Sequence, residues 1–380
     1  MTDHPICLQA LLNKGVCIPH PASVYIADDV NVDRIHESAV LHPGSRLQGK
    51  MLSVGPGAEI GKECPATVIN CQLGAGVSLK GGYFEGSVFL DQSSVGSSAH
   101  VRPGCLLEEE ACAAHAVGLK QTILFPFVTL GSLINFCDVL MAGGTSRKNH
   151  SEVGSSFIHF NFTPHNDKAT GSLIGDVARG VLLNQAPIFL GGQGGIVGPV
   201  EMEYGVVQAA GSICRQDLLE EDHLFQSAVA KERWAPYKTG AIRAPEEKWR
   251  KNVKYLASLQ GLIGWYRAFR VPMMPKDPYT QFCLEAAVKL LSASVAERLK
   301  QLKKWCGKLP AEIWEPRFSA LEQCLQSPAD TSLLENVVKD LKPASDYVET
   351  IRALTPLQQE QVQQFFEMEI QRCSVSSESL

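Results

Sequence analysis

The feature that most constrains this chain is a six-residue beat running through its first 220 residues. An aliphatic residue is followed by Gly or a small polar residue, two variable positions, a small residue and one more variable position. The beat shows in Val54-Gly55-Pro56-Gly57-Ala58-Glu59-Ile60-Gly61, Leu73-Gly74-Ala75-Gly76-Val77-Ser78-Leu79, Val95-Gly96-Ser97-Ser98-Ala99-His100-Val101 and Ile174-Gly175-Asp176-Val177-Ala178-Arg179. A repeat of this kind predicts a stacked β-solenoid rather than an ordinary globular sheet. Each unit is one short strand plus a turn, and three units close one triangular coil. The aliphatic residue points inward and the small residue fits the crowded corner. One coil cannot bury its own apolar face, so coils must stack.

Composition places the end of the repeats. Residues 1–220 hold 28 of the 32 glycines, with 13 Lys+Arg against 20 Asp+Glu, a net −7. Residues 221–380 hold four glycines, with 22 Lys+Arg against 20 Asp+Glu, a net +2. Neither charge is that of a nucleic-acid binder, which clusters a basic surface. Beyond residue 245 the apolar period becomes helical, as in Leu284, Val288, Leu291, Val295, Leu299 and Leu302. The expected organisation is a lead-in over 1–22, a β-helix over 23–220, a linker over 221–245 and an α-helical domain over 246–380. Four to six helices are expected, packed on each other or on the end of the solenoid and projecting from the column. The twelve cysteines form no CxxC pair or metal-ligand spacing, and read as reduced small hydrophobes. No apolar run is long enough to span a membrane, so a cytoplasmic protein is expected.

Arg102 and Lys120 lie 18 residues apart, one full coil. Their side chains should leave the same face on neighbouring coils, about 5 Å apart. Two cations that close call for an anion, and a sugar phosphate suits them: Arg forks onto oxygens and Lys acts as a point charge. Two solvated surface cations are the plainer alternative.

The run from about Val101 to Arg215 resembles the acetyltransferase half of the bifunctional bacterial UDP-N-acetylglucosamine pyrophosphorylase/glucosamine-1-phosphate N-acetyltransferase family. The resemblance rests on Arg102-Pro103-Gly104, Leu106-Leu107-Glu108, the spacing to Lys120, and the loop from Asn161-Phe162 to Lys168 before Ile174-Gly175-Asp176. It implies a mainly β, left-handed β-helix, a homotrimer, and sites between neighbouring solenoids for acetyl-CoA and a sugar phosphate or nucleotide sugar. It further implies that Arg102 and Lys120 hold the phosphate, that Asn161, expected to act with the catalytic residues, and Lys168 reach the sugar, and that Ser132 and Asn135 contact the substrate. Gly191, Gly192, Ala209 and Ala210 would line the acetyl-CoA groove.

The departures are specific. Where the family carries its basic histidine this chain has Ser132, and where it carries a substrate-contacting tyrosine there is Asn135. Serine has no usable pKa for a general base. His165, in the loop expected to face the sugar, is the preferred replacement, with His159 and His150 as others. His100 and His115 are expected to face solvent. About six extra residues between Asp138 and Asn161 form either an added solenoid side or an extruded loop. The nucleotide-binding signature of the family's pyrophosphorylase domain is missing, so that activity is not expected. The Gly191–Gly195 run is read as a solenoid corner rather than a phosphate cradle, because no helix follows it. No histidine set has the spacing of a zinc-binding carbonic anhydrase solenoid. Two functions remain open: an acyltransferase, and a catalytically silent trimeric scaffold that binds a sugar phosphate or nucleotide sugar.

Overall fold

The computed structural model describes residues 4–161, 164, 170–228, 232, 234–240, 242–342 and 346–378. Helix α1 (His4–Lys14) precedes the first coil. From Tyr25 to Phe225 the chain is a parallel β-solenoid of two- to seven-residue strands. One face is a ten-stranded ladder. Along it, Leu41, Ile60, Leu79, Val95, Ala113, Leu130, Val153 and Leu190 stand in register, each buried. The aliphatic position of the six-residue unit is therefore the interior of the prism, where it excludes water coil after coil.

The other two faces form one sixteen-stranded sheet, because two strands are long enough to turn a corner. In Gly118–Leu124 the first half pairs with His100–Val101 and the second half with Leu106–Leu107. Gln121 (φ 49°) marks its bend, and Asp138 (φ 61°) marks the bend of Asn135–Met141. The extra residues after Asp138 leave the coil as a hairpin, Gly144–Ser146 against Asn149–His150, so the insertion is extruded rather than added to a face. At the hairpin tip Arg147 reaches back and donates to the carbonyls of Glu110 (3.0 Å) and Phe127 (2.8 Å).

After α2 (Val177–Gly180) and the last coils come α3 (Pro245–Trp265), a π turn (Tyr266–Arg270), α4 (Val271–Met273), α5 (Pro278–Cys306), α6 (Ala311–Gln326), α7 (Ser332–Lys339), α8 (Tyr347–Arg352) and α9 (Pro356–Glu378). These are more helices than the sequence suggests, and they do not project from the end of the column. Instead α3 and the π turn after it descend one side of the solenoid, from Lys254 on Glu201 (2.5 Å) to Arg270 on Glu108 (3.0 Å). Helix α5 then climbs the same side. It starts where Phe282 lies under the Arg34 guanidinium (3.7 Å) and reaches Arg298 on Asp138 (2.5 Å). At 29 residues α5 is about 43 Å long, enough to run past several coils. Burial is the reason for the return: the apolar stripe of α5, with Leu284, Leu291 and Leu302 all nearly inaccessible, needs a wall, and the solenoid side offers one.

Candidate functional site

The strand register brings the two cations together. Val101 pairs with Leu119, and the Arg102 N–H donates to the Leu119 carbonyl at 2.9 Å, so Arg102 and Lys120 occupy neighbouring rungs of one face. Lys120 in turn pairs with Cys137 on the next coil, and the Arg102 Nη2 donates to the Cys137 Sγ at 3.5 Å. Both cations are exposed. Asn135 stands on the same face, paired with Gly118 and Ile158, and is exposed as well.

Beside this ladder lies a cavity of about 310 Å³. Lys120, Asn135 and Asn161 line it from the solenoid, and Arg298 and Gln301 of α5 close the other side. The Asn161 Nδ2 donates to the Thr170 carbonyl (3.1 Å), whereas its buried Oδ1 has no hydrogen-bond partner among the described residues. Burial raises the Asp138 carboxyl above its usual range, while Arg298 and then Lys120 pull it down. The Cys137 thiol is likewise pushed up by burial, then by Asp138, against the pull of Arg102 and Lys120.

The histidines divide by strand parity. His159 points into the prism, 1% exposed, with its Nε2 2.7 Å from the Ser172 Oγ. Burial lowers its pKa to about 4, so the ring is neutral at physiological pH. His150 is in the hairpin, paired with Gly144. His165 and Lys168, the preferred base and one of the expected sugar contacts, lie outside the described residues.

Ser132 is not beside Arg102 and Lys120. It sits at the opposite edge of their face, on the corner where the ten-stranded ladder ends. Its Oγ is 2.9 Å from the Nδ1 of His115 on the coil below. His115 is exposed, yet it has a partner that its turn-like position did not suggest. The signal was present, since 17 residues, one lap, separate the two. Gly191, Gly192, Ala209 and Ala210 occupy the same corner several coils on. A Cβ on Gly191 would meet the Ala210 N at 2.3 Å, and one on Gly192 the Ser155 O at 2.8 Å, so backbone packs on backbone there. A strand, Gly195–Gly198, follows the glycines, which makes the run a solenoid corner. Arg298 and Gln301 gave no sequence signal at all.

Stacked parallel coils of six-residue units, with two cations in register on one face, define a hexapeptide-repeat β-solenoid protein. Its relatives in sequence are bifunctional GlmU proteins. Over 212 residues it is 27% identical to the bifunctional protein GlmU of Thermotoga sp. (strain RQ2), covering 56% of this chain and 42% of that one. It is 28% identical over 222 residues to that of Brevibacillus brevis (strain 47 / JCM 6285 / NBRC 100599), covering 58% and 42%. The chain thus spans less than half the length of these curated relatives. No family model matches it. Among solved structures it is similar to UDP-N-acetylglucosamine O-acyltransferase (LpxA) from Moraxella catarrhalis RH4, at 10% identity and a TM-score of 0.26, covering 70% of this chain and 97% of that one. A likeness at that score supports no inference. Among the described residues no helix is long and apolar enough to cross a membrane, and no group of three or more His, Cys, Asp or Glu is placed to hold a metal ion.

Proposed function

We propose that this protein is an acyltransferase that moves an acetyl group from acetyl-CoA to an amino-sugar phosphate or nucleotide sugar. The observation that carries this is the Arg102–Lys120 pair in register beside a cavity that Lys120, Asn135 and Asn161 line. Arg102 and Lys120 hold the phosphate, and Asn135, Asn161 and Lys168 contact the sugar. Gly191, Gly192, Ala209 and Ala210 line the donor groove, and His165 is the base that the motifs suggest. Backbone amides along the corner would steady the oxyanion of the thioester carbonyl. Leu133, Ile158 and Phe160 are 55%, 47% and 44% exposed near the same face, which favours a second and third copy closing over it as a cyclic trimer. A cytoplasmic location completes this reading.

The test is thiol release from acetyl-CoA with glucosamine 1-phosphate and a panel of amino- and hydroxy-sugar phosphates. Turnover with any of them is expected. Lys120→Ala should weaken the acceptor about tenfold or more, the worth of a hydrogen bond to a charged group. A second reading, the silent trimeric scaffold, is favoured by one fact: Ser132 carries no basic group of its own. Calorimetric binding of the sugar phosphate without thiol release would select it. Absence of both binding and turnover overturns the two readings together.

A further inference from the structure

The corner opposite Lys120 carries a hydroxyl–imidazole pair that the reading above leaves unused. Ser132 is fixed from three sides. Its Oγ is 2.9 Å from the His115 Nδ1 on the coil below. Its N–H donates to the Ser155 Oγ at 3.2 Å, and its carbonyl accepts from the Ser156 N–H at 2.8 Å, both on the coil above. Leu133, the next residue, takes a left-handed φ of 61° and donates its N–H to the His115 carbonyl at 3.1 Å. The turn therefore cannot swing Ser132 away from His115 without breaking bonds to both neighbouring coils. His115 is exposed and Ser132 half-buried. A hydroxyl held on an imidazole within hydrogen-bond reach is the arrangement by which proteins make serine give up its proton.

Position along the strand makes the pair relevant to the cavity. Asn135 follows Ser132 by three residues, and Cys137, the rung partner of Lys120, follows by five. The strand begins only at Asn135, so Asn135 to Cys137 is about 7 Å of strand, the turn of Ser132 and Leu133 adds less than an extended run would, and the lysine side chain shortens the gap from its end. A hexosamine phosphate laid across the face meets Lys120 with its phosphate and turns its amine toward the corner.

We infer that Ser132 and His115 are the proton relay of the transfer, with His115 in place of His165 as the group that receives the proton, a proposal that rests on the acyltransferase reading. The neutral amine attacks the thioester carbonyl. As the N–C bond forms, the amine proton passes to the Ser132 Oγ, which gives its own proton to the His115 Nδ1. The C–S bond breaks, and the departing coenzyme A thiolate takes that proton from the imidazolium. Ser132 is the group that meets the substrate, and His115 acts through it.

The experiment compares the full-length protein with His115→Asn, Ser132→Ala, their double variant and Ser132→Thr, using acetyl-CoA and glucosamine 1-phosphate. Each of the first two should lower kcat about 100-fold, the scale of general-base catalysis. The double variant should fall no further than the poorer single one, because groups acting as a unit are lost together. Ser132→Thr, which keeps the hydroxyl, should retain most of kcat. Calorimetric Kd for glucosamine 1-phosphate should stay within about threefold throughout, a split that a damaged fold would not give. Active wild type with unimpaired His115→Asn, or a double variant whose loss is the product of the singles, overturns the relay alone. Wild type that binds the sugar phosphate yet releases no thiol overturns the transferase reading and the relay with it.

Discussion

In the solenoid each strand meets the coils directly above and below, so that Val95 has Leu79 and Ala113 as its rungs and nothing more distant along the ladder. The helical region is built the other way. The ring of Trp265 stacks on Phe269 at 4.0 Å and also meets Phe366, and a Cβ on Gly261 would press on the same Phe366 at 2.7 Å. One region is a sum of local repeats, and the other depends on contacts far apart in the chain. Their junction follows a third rule, that of charge. Arg270 meets Glu108, Arg298 meets Asp138, Lys254 meets Glu201 and Lys251 meets Asp217. In every case the helical region supplies the cation and the solenoid the carboxylate. The net charges of the two halves, −7 and +2, have the signs that this pairing requires.

Breaking that junction should have the largest effect. Arg270 is wholly buried between Glu108, Glu109 and Tyr266. Arg270→Met leaves the buried Glu108 and the half-buried Glu109 without their cation, and a loss of about 3–5 kcal/mol is expected in urea unfolding. An unchanged midpoint would mean that the two regions are not held by these charges. A smaller cost is expected inside the repeats. Val95→Ala removes two buried methyl groups from the aliphatic ladder for about 2 kcal/mol. Hydrogen exchange should localise the damage to neighbouring coils, and spread into the helical region would contradict the local character of the solenoid.

The third prediction uses pH. Burial pushes the Glu109 carboxyl up to about 8, with Arg270 opposing and Glu108 reinforcing the rise. The unfolded group titrates near 4.3. Between those values the folded protein keeps a proton that the unfolded chain has lost, so stability falls as pH rises from about 4 to about 8 and levels off above. Glu109→Gln should flatten this slope and gain about 1–2 kcal/mol at pH 9 in chemical denaturation. A variant that keeps the full slope would assign it to other groups. The smallest effect is expected at a corner. Ser98 holds φ 60° at an exposed turn, so Ser98→Gly should be neutral to about 1 kcal/mol stabilising in a thermal melt. A clear loss would mean that the hydroxyl, not the backbone, matters there.

Legibility in the sequence follows the same division. The Arg102–Lys120 rung was readable because a lap without an insertion is close to three six-residue units, so a spacing of 18 translates into adjacency. The same arithmetic reaches His115 from Ser132, a pairing that motif comparison hides because it looks along the chain rather than between coils. His159 was ambiguous until strand parity turned it into the prism. Arg298 and Gln301 could not be found by any spacing, since helix α5 reaches the cavity only after the chain has run down the column and back.

By itself the sequence determined the solenoid, its interior ladder and which residues share a rung, because a short repeat makes every contact a neighbour contact. That the helices lie along the column and wall off the cavity was settled by tertiary packing alone. Those arrangements depend on burying an apolar helix face and on matching charges between distant segments, which no local period encodes.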